Sequence, residues 1–168
     1  LHYDLSVSVS DGSVETKQQL EGIWGDYPDD TCFLYQTTAD VANGDESQNV
    51  TVVAAQPGTL DGFVTLKNDD EEIRSPGSGE IVLSSKLADN LNAEVGDVIS
   101  LTDSGDNIIS LTLIGICDNY VGHFAYISEE SLSSTPEDNT AYLILGDGQD
   151  EGELSARLRQ DESVVSVT

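Results

Sequence analysis

The chain has 168 residues with 38% apolar content, enough for one ordinary domain core or two small subdomains. Six Lys and Arg stand against 32 Asp and Glu, a formal net charge of −26, which repels nucleic-acid phosphates and anionic lipid head groups and excludes nucleic acid as a partner. No stretch approaches the roughly 18 apolar residues that a membrane helix needs. The chain contains no Met and starts Leu1-His2-Tyr3, which reads as an excised fragment or a processed product, and the expected parent is a membrane protein whose anchors lie outside it. Loops that stay in the cytoplasm are rich in Lys and Arg and this chain is poor in them, which points to the extracytoplasmic side; solubility, or an organism that makes acidic proteins generally, accounts for the acidity equally well.

Leu1, Tyr3, Leu5, Val7 and Val9 alternate with polar residues and predict a half-buried opening strand. Ser13 is positioned to cap a helix that turns Val14, Leu20, Ile23 and Trp24 toward the core, and Pro28-Asp29-Asp30 ends it. Thr31 to Asp40 and Asn49 to Gln56 read as two strands forming a hairpin about the turn Asn43-Gly44-Asp45. After Leu60 to Leu66 comes an acidic, turn-rich patch from Asn68 to Gly79.

Glu80 to Leu83 is a short strand, and Ser84 caps a short helix carrying Leu87, Ala88 and Leu91. Val98 to Leu101, Ile108 to Cys117 and His123 to Ile127 follow as strands, with Asp103 to Asn107 as a turn. This middle block reads as a small antiparallel barrel or sheet. Ala141 to Leu145 is a strand, Asp150 with Glu153 opens a helix carrying Leu154 and Leu158, and Val164 to Val167 is the last strand. The outer segments therefore run βαββ and then βαβ around a β-rich middle. The expected class is α+β, with subdomain 1 over approximately 1–59 plus 139–168 and an inserted β-rich subdomain over approximately 60–138.

Catalytic and metal chemistry find little footing. The carboxylate runs Asp29-Asp30 and Asp69-Asp70-Glu71-Glu72 fall in turn-rich stretches and read as solvated charge. An EF-hand loop begun at Asp147 places Leu158 at its twelfth position, and one begun at Asp103 places Ile108 where glycine is needed. His2 and His123 have no second His or Cys at ligand spacing. No catalytic residue, cofactor or metal site is expected. Cys32 and Cys117 lie in strand-like runs and admit either one disulfide or two buried free thiols. The charge itself predicts greater stability at moderate than at low salt.

One stretch carries a resemblance. It contains Gly79-Glu80-Ile81-Val82-Leu83-Ser84-Ser85-Lys86-Leu87-Ala88, then Val95-Gly96-Asp97-Val98-Ile99-Ser100-Leu101, and ends on Leu111-Thr112-Leu113-Ile114-Gly115-Ile116-Cys117. The run Asp118-Asn119-Tyr120-Val121-Gly122-His123, with Phe124, Tyr126 and Ile127 behind it, resembles an "ENYVxHYxYM" stretch. Asp118, Phe124 and Ile127 stand where Glu, Tyr and Met are usual. These segments are similar to the extracytoplasmic, MacB-like domain of FtsX-like ABC transporter permeases, narrowly those of Gram-positive bacteria.

The resemblance implies two subdomains, membrane helices before and after the chain, and ATP handled by a separate ATP-binding subunit. It implies export or extrusion of a peptide, lipoprotein or drug, contact with that substrate or an extracellular partner, and a dimer in the full transporter. Asn119, Tyr120, His123 and Tyr126 are the candidate cluster, either a recognition surface or a structural one; an aromatic group beside a long apolar strand favours the structural role. Two other classes are weighed beside it. One is a secreted or surface-displayed acidic binding module with no transport role. The other is a hydrolase using a carboxylate pair, which needs two carboxylates of unequal acidity in one pocket.

Overall fold

The computed structural model describes residues 1–118 and 122–168. In it the chain falls into two compact units: Leu1–Tyr35, Thr59–Thr65 and Glu137–Thr168 form the first, Gln36–Gly58 and Leu66–Pro136 the second.

The first unit is an antiparallel sheet with two helices. Strands β1 (Leu5–Val9), β10 (Thr140–Leu145) and β11 (Val164–Val167) join the first part of β2 (Pro28–Asn43) in the order β11-β1-β10-β2. Leu5, Val7 and Val9 alternate inward, as their period of two requires, and meet Ala141 and Leu143 of β10 and Val167 of β11. Helices α1 (Val14–Trp24) and α3 (Glu151–Arg159) cover this face with Leu20, Trp24, Leu154 and Leu158. Tyr142 points away from that core; its ring stacks on Tyr3 at 4.0 Å, and burial raises the Tyr3 phenol above its ordinary 10.0.

Both helix starts obey their sequence signals. The Ser13 hydroxyl accepts the Thr16 amide at 3.2 Å, and Asp150 Oδ1 accepts the Glu153 amide at 3.0 Å. One expectation fails on α1: Val14 is 68% exposed, while Thr16 takes a buried position. Val14 occupies the first helical residue, where the stripe has not yet rotated onto the sheet; Thr16 and Leu20, four apart, lie on the buried face. Gly25, at φ 46°, ends the helix, so the stop comes before Pro28, which begins β2 instead.

The second unit is a closed ring of six strands. The rest of β2 joins β3 (Glu46–Ala55), β6 (Glu80–Ser84), β7 (Val98–Thr102), β8 (Ile108–Cys117) and β9 (Phe124–Ser128) in the order β2-β3-β9-β6-β8-β7, and β7 pairs back onto β2 through Asp40–Ala42. Two of these ladders are parallel, β3 with β9 and β6 with β8, which corrects the expectation of an antiparallel barrel. Parallel neighbours need a crossover; helix α2 (Ser85–Asn90) with β7 supplies the one from β6 to β8. Ser84 is the N-cap residue of α2, but its hydroxyl does not cap; it accepts the Phe124 amide of β9 at 3.0 Å. Within the acidic patch, β4 (Lys67–Asn68) and β5 (Glu71–Glu72) make a two-residue hairpin held to the end of β8 by Asn68 Nδ2 on the Ile116 carbonyl.

The boundaries differ from those expected. Residues 36–58 belong to the second unit, because β3 finds its parallel partner in β9. Residues 59–65 belong to the first, where the His2 amide donates to the Phe63 carbonyl at 2.8 Å and His2 Nε2 meets Thr65 Oγ1 at 2.9 Å. Cys32 and Cys117 are buried free thiols, one in each unit. Burial pushes the Cys32 thiol up to about 12 and the Cys117 thiol to about 11. Both are therefore expected to resist iodoacetamide in the native state near pH 8 and to react once denaturant unfolds the chain, as counted by mass spectrometry.

Arg74 and Glu80 form a two-pronged ion pair at the surface, with Nη1 on Oε1 at 2.6 Å. The Arg74 hydrogen bonds, reinforced by the Gly77 amide, lower the Glu80 carboxyl to about 2 from its ordinary 4.5. A lowered carboxyl stabilises the fold above its unfolded value and loses that contribution as pH falls toward the folded value. Glu80→Gln is thus expected to flatten the acid limb of a urea-melt pH series between about 4.5 and about 2 and to leave its shape above that window unchanged.

Candidate functional site

The sequence-derived cluster sits around the start of β9. Asn119 and Tyr120 lie outside the described residues. His123 is half-buried; its carbonyl accepts the Thr51 amide of β3 at 3.2 Å, and its Nδ1 is buried with no hydrogen-bond partner among the described residues. Phe124 and Tyr126, two apart on the strand, bring their rings to 6.2 Å at 20°. Tyr126 is 4% exposed and lies in register between Val53 of β3 and Val82 of β6. The strand thus joins His123 to Tyr126 but turns the tyrosine into the barrel wall. Gly122, at φ 80°, has the conformation that glycine adopts without strain, and an added Cβ would lie 3.0 Å from the Phe124 ring.

Just before this segment, Asp118 Oδ2 accepts the Asp69 amide at 2.6 Å, and the Asp118 amide donates to the Lys67 carbonyl. The acidic hairpin β4–β5 is therefore fastened to Asp118, the residue after the end of β8. Asp69, Asp70, Glu71 and Glu72 are all exposed, as are Asp29 and Asp30. Among the described residues no three His, Cys, Asp or Glu side chains are gathered as a metal site would require.

A second feature escaped the sequence reading. In the first unit a cleft of about 310 Å³ opens between the end of α1 and α3, lined by Trp24, Asp26, Tyr27, Gln149 and Arg157 among others. The Arg157 guanidinium lies 5.7 Å from the centre of the Tyr27 ring. Among the described residues Lys17 is also held over an aromatic, 4.9 Å from Phe33, and is paired with Asp138 at 2.8 Å. The rarity of Lys and Arg in the chain was a usable signal for both; spacing gave none, because the partners are remote in sequence.

The sequence profile of the MacB-like periplasmic core domain matches residues 18–161. The chain belongs to this family. It is an extracytoplasmic domain of a membrane ABC transporter permease, a class whose members work with an ATPase. Solved structures agree in fold. The extracellular domain of the noncanonic ABC-type transporter YknZ from Gram-positive bacteria aligns with a TM-score of 0.56 at 14% identity, over 98% of this chain and 100% of that one. The periplasmic region of MacB from Actinobacillus actinomycetemcomitans aligns at 0.54 and 9% identity, over 98% and 87%. A domain of a putative permease protein from Porphyromonas gingivalis aligns at 0.50 and 15%, over 99% and 88%. No curated protein matches by sequence. The α+β class of the MacB-like core domain is as expected, and no helix among its described residues is long and apolar enough to cross a membrane.

Proposed function

We propose that this MacB-like core domain has no enzymatic role and serves as the outer relay of an export permease. It contacts substrate (a peptide, lipoprotein or drug) or an extracellular partner, and it carries outward the conformational change that ATP hydrolysis drives in the ATP-binding subunit. That subunit acts through the membrane region of the permease. His123, Phe124 and Tyr126 are framework residues of the β9 wall in this reading.

The observation that supports the relay is the pairing of the first and last strands. The Ser6 amide donates to the Thr168 carbonyl at 2.8 Å, and the Thr168 amide returns to the Ser6 carbonyl at 2.9 Å. A segment pulling on either end therefore loads the same β-ladder, and the ladder is seated on the Leu5, Val7, Leu143 and Val167 core. Two membrane segments moving against one another would shear this pair directly. The test is hydrogen–deuterium exchange on the full-length permease with its ATP-binding subunit. Amides of β1 and β11 are expected to change protection between nucleotide-free and ATP-bound states. Identical exchange in the two states overturns the relay.

A further inference from the structure

The charge of this domain exceeds what its own cations can neutralise, however they are placed. Even if all six Lys and Arg each neutralised one carboxylate, the charge of 26 of the 32 would remain uncompensated by Lys or Arg within the chain. Lys17 is spent on Asp138 and Arg74 on Glu80, while Arg159 donates to the Val167 carbonyl and Arg157 lies over Tyr27. Over a surface of 8762 Å², the −26 amounts to roughly one net charge per 340 Å², a mean spacing of roughly 18 Å.

The mean understates the crowding. Asp69, Asp70, Glu71 and Glu72 are consecutive and all exposed on one two-residue hairpin, with Asp118 fastened beneath it. Asp103 and Asp106 share one turn, and Glu151 and Glu153 share the first turn of α3. Carboxylates this close sit well inside the Debye length of about 10 Å at 0.1 M salt, and outside the length of about 3 Å at 1 M. Several acids do have a local duty: Asp103 accepts the amides of Gly105 and Asn107, Asp161 that of Ser163, and Asp11 that of Ser13. Those bonds explain individual positions. They do not discharge the surface. Opposing the repulsion is the burial of apolar side chains within two compact units, each of modest size.

We infer that this domain is built to be folded in concentrated salt: its acidic surface takes a dense, diffuse layer of hydrated monovalent cations as its working partner, and the medium outside the membrane it serves is molar in salt. The folded state is ionic-strength dependent, ordered in that medium and weakened in dilute buffer. No discrete cation site is needed, because screening acts on the whole surface at once. This inference stands on charge and geometry and is independent of the relay.

The experiment is a series of thermal melts of the chain, followed by circular dichroism, from about 0.1 M to about 3 M NaCl, with sucrose of matched osmolality at the lowest salt as the control. The expected result is a rise in Tm of about 10 °C or more across the series, well beyond the effect of sucrose. A second protein carries Asp69→Asn, Asp70→Asn, Glu71→Gln and Glu72→Gln. It is expected to melt higher than the parent at low salt and to gain less from added NaCl. A Tm that is flat or falls with salt overturns the inference. So does sucrose matching the salt effect, which would show solute exclusion in place of charge screening. A neutralised variant with the parent's Tm and salt slope overturns it as well.

Discussion

Tyr126→Ala is expected to lower the unfolding free energy by about 3–5 kcal/mol, read as a shift in the urea midpoint at constant slope. The ring is 4% exposed, so its whole volume is lost to a cavity. Its strand is hydrogen-bonded on both sides, to β3 at Val53 and to β6 at Val82, so the wall cannot collapse inward to fill the space. Phe124, half-buried and stacked on the same ring, loses less area on truncation, and Phe124→Ala is expected to cost about 1–2 kcal/mol. The pair distinguishes the two roles open to this cluster. A residue held for recognition alone would be exposed, and its truncation would stay within about 0.5 kcal/mol. A Tyr126→Ala protein as stable as its parent would remove the structural assignment.

Gly12→Ala is expected to cost about 3 kcal/mol, the upper part of the overpacking range, and to appear as a lowered Tm in calorimetry. A Cβ at residue 12 would lie 1.8 Å from the Asp138 carbonyl oxygen and 2.8 Å from its carbonyl carbon. Those are backbone atoms and cannot swing away as a side chain would. The next residue is pinned on both sides, since the Asn139 amide donates to the Leu34 carbonyl and the Val9 amide to the Asn139 carbonyl. Relief would also move the Asp138 carboxylate off Lys17. Gly22 provides the contrast within the adjoining helix. Nothing lies within 4 Å of its added Cβ, and Gly22→Ala is expected to stabilise by about 0.5–1 kcal/mol. Equal effects at the two glycines would refute the steric account.

Much of the local structure was legible because the signals are local. The span of β8, Ile108–Cys117, follows from its apolar run, and the start of α3 from Asp150 with Glu153 three residues on. Ser84 shows where this reasoning stops. Its place before Leu87 and Leu91 marks a helix start correctly, but its hydroxyl serves Phe124, forty residues away. The same limit explains the misplaced boundary at β3. A hairpin partner is adjacent in the chain and can be read from it, whereas the parallel partner β9 follows more than sixty residues later.

The resemblance from Gly79 to Ser128 located the family, and its Asp118–His123 run marked the segment that joins β8 to β9. It did not separate framework from surface. That separation rests on Tyr126 facing into the wall, and burial is a property of neighbours on other strands. The cleft at Arg157 was invisible for the same reason, since Tyr27 and Arg157 are 130 residues apart and meet only because α3 packs beside the end of α1.

By itself the sequence determined the class of elements, their order, the uncompensated charge and the permease resemblance. Periodicity, caps and composition depend on residues a few positions apart, so no tertiary information is needed to read them. Only the tertiary structure decided that β2 runs through both units, that two ladders are parallel, and that β7 closes the ring on β2. A strand's alternation records which face is buried and carries no label for the strand that lies beside it. Pairing between distant segments is settled by the packing of the whole chain, and the Ser6–Thr168 ladder, joining the two ends of the chain, is its longest-range instance.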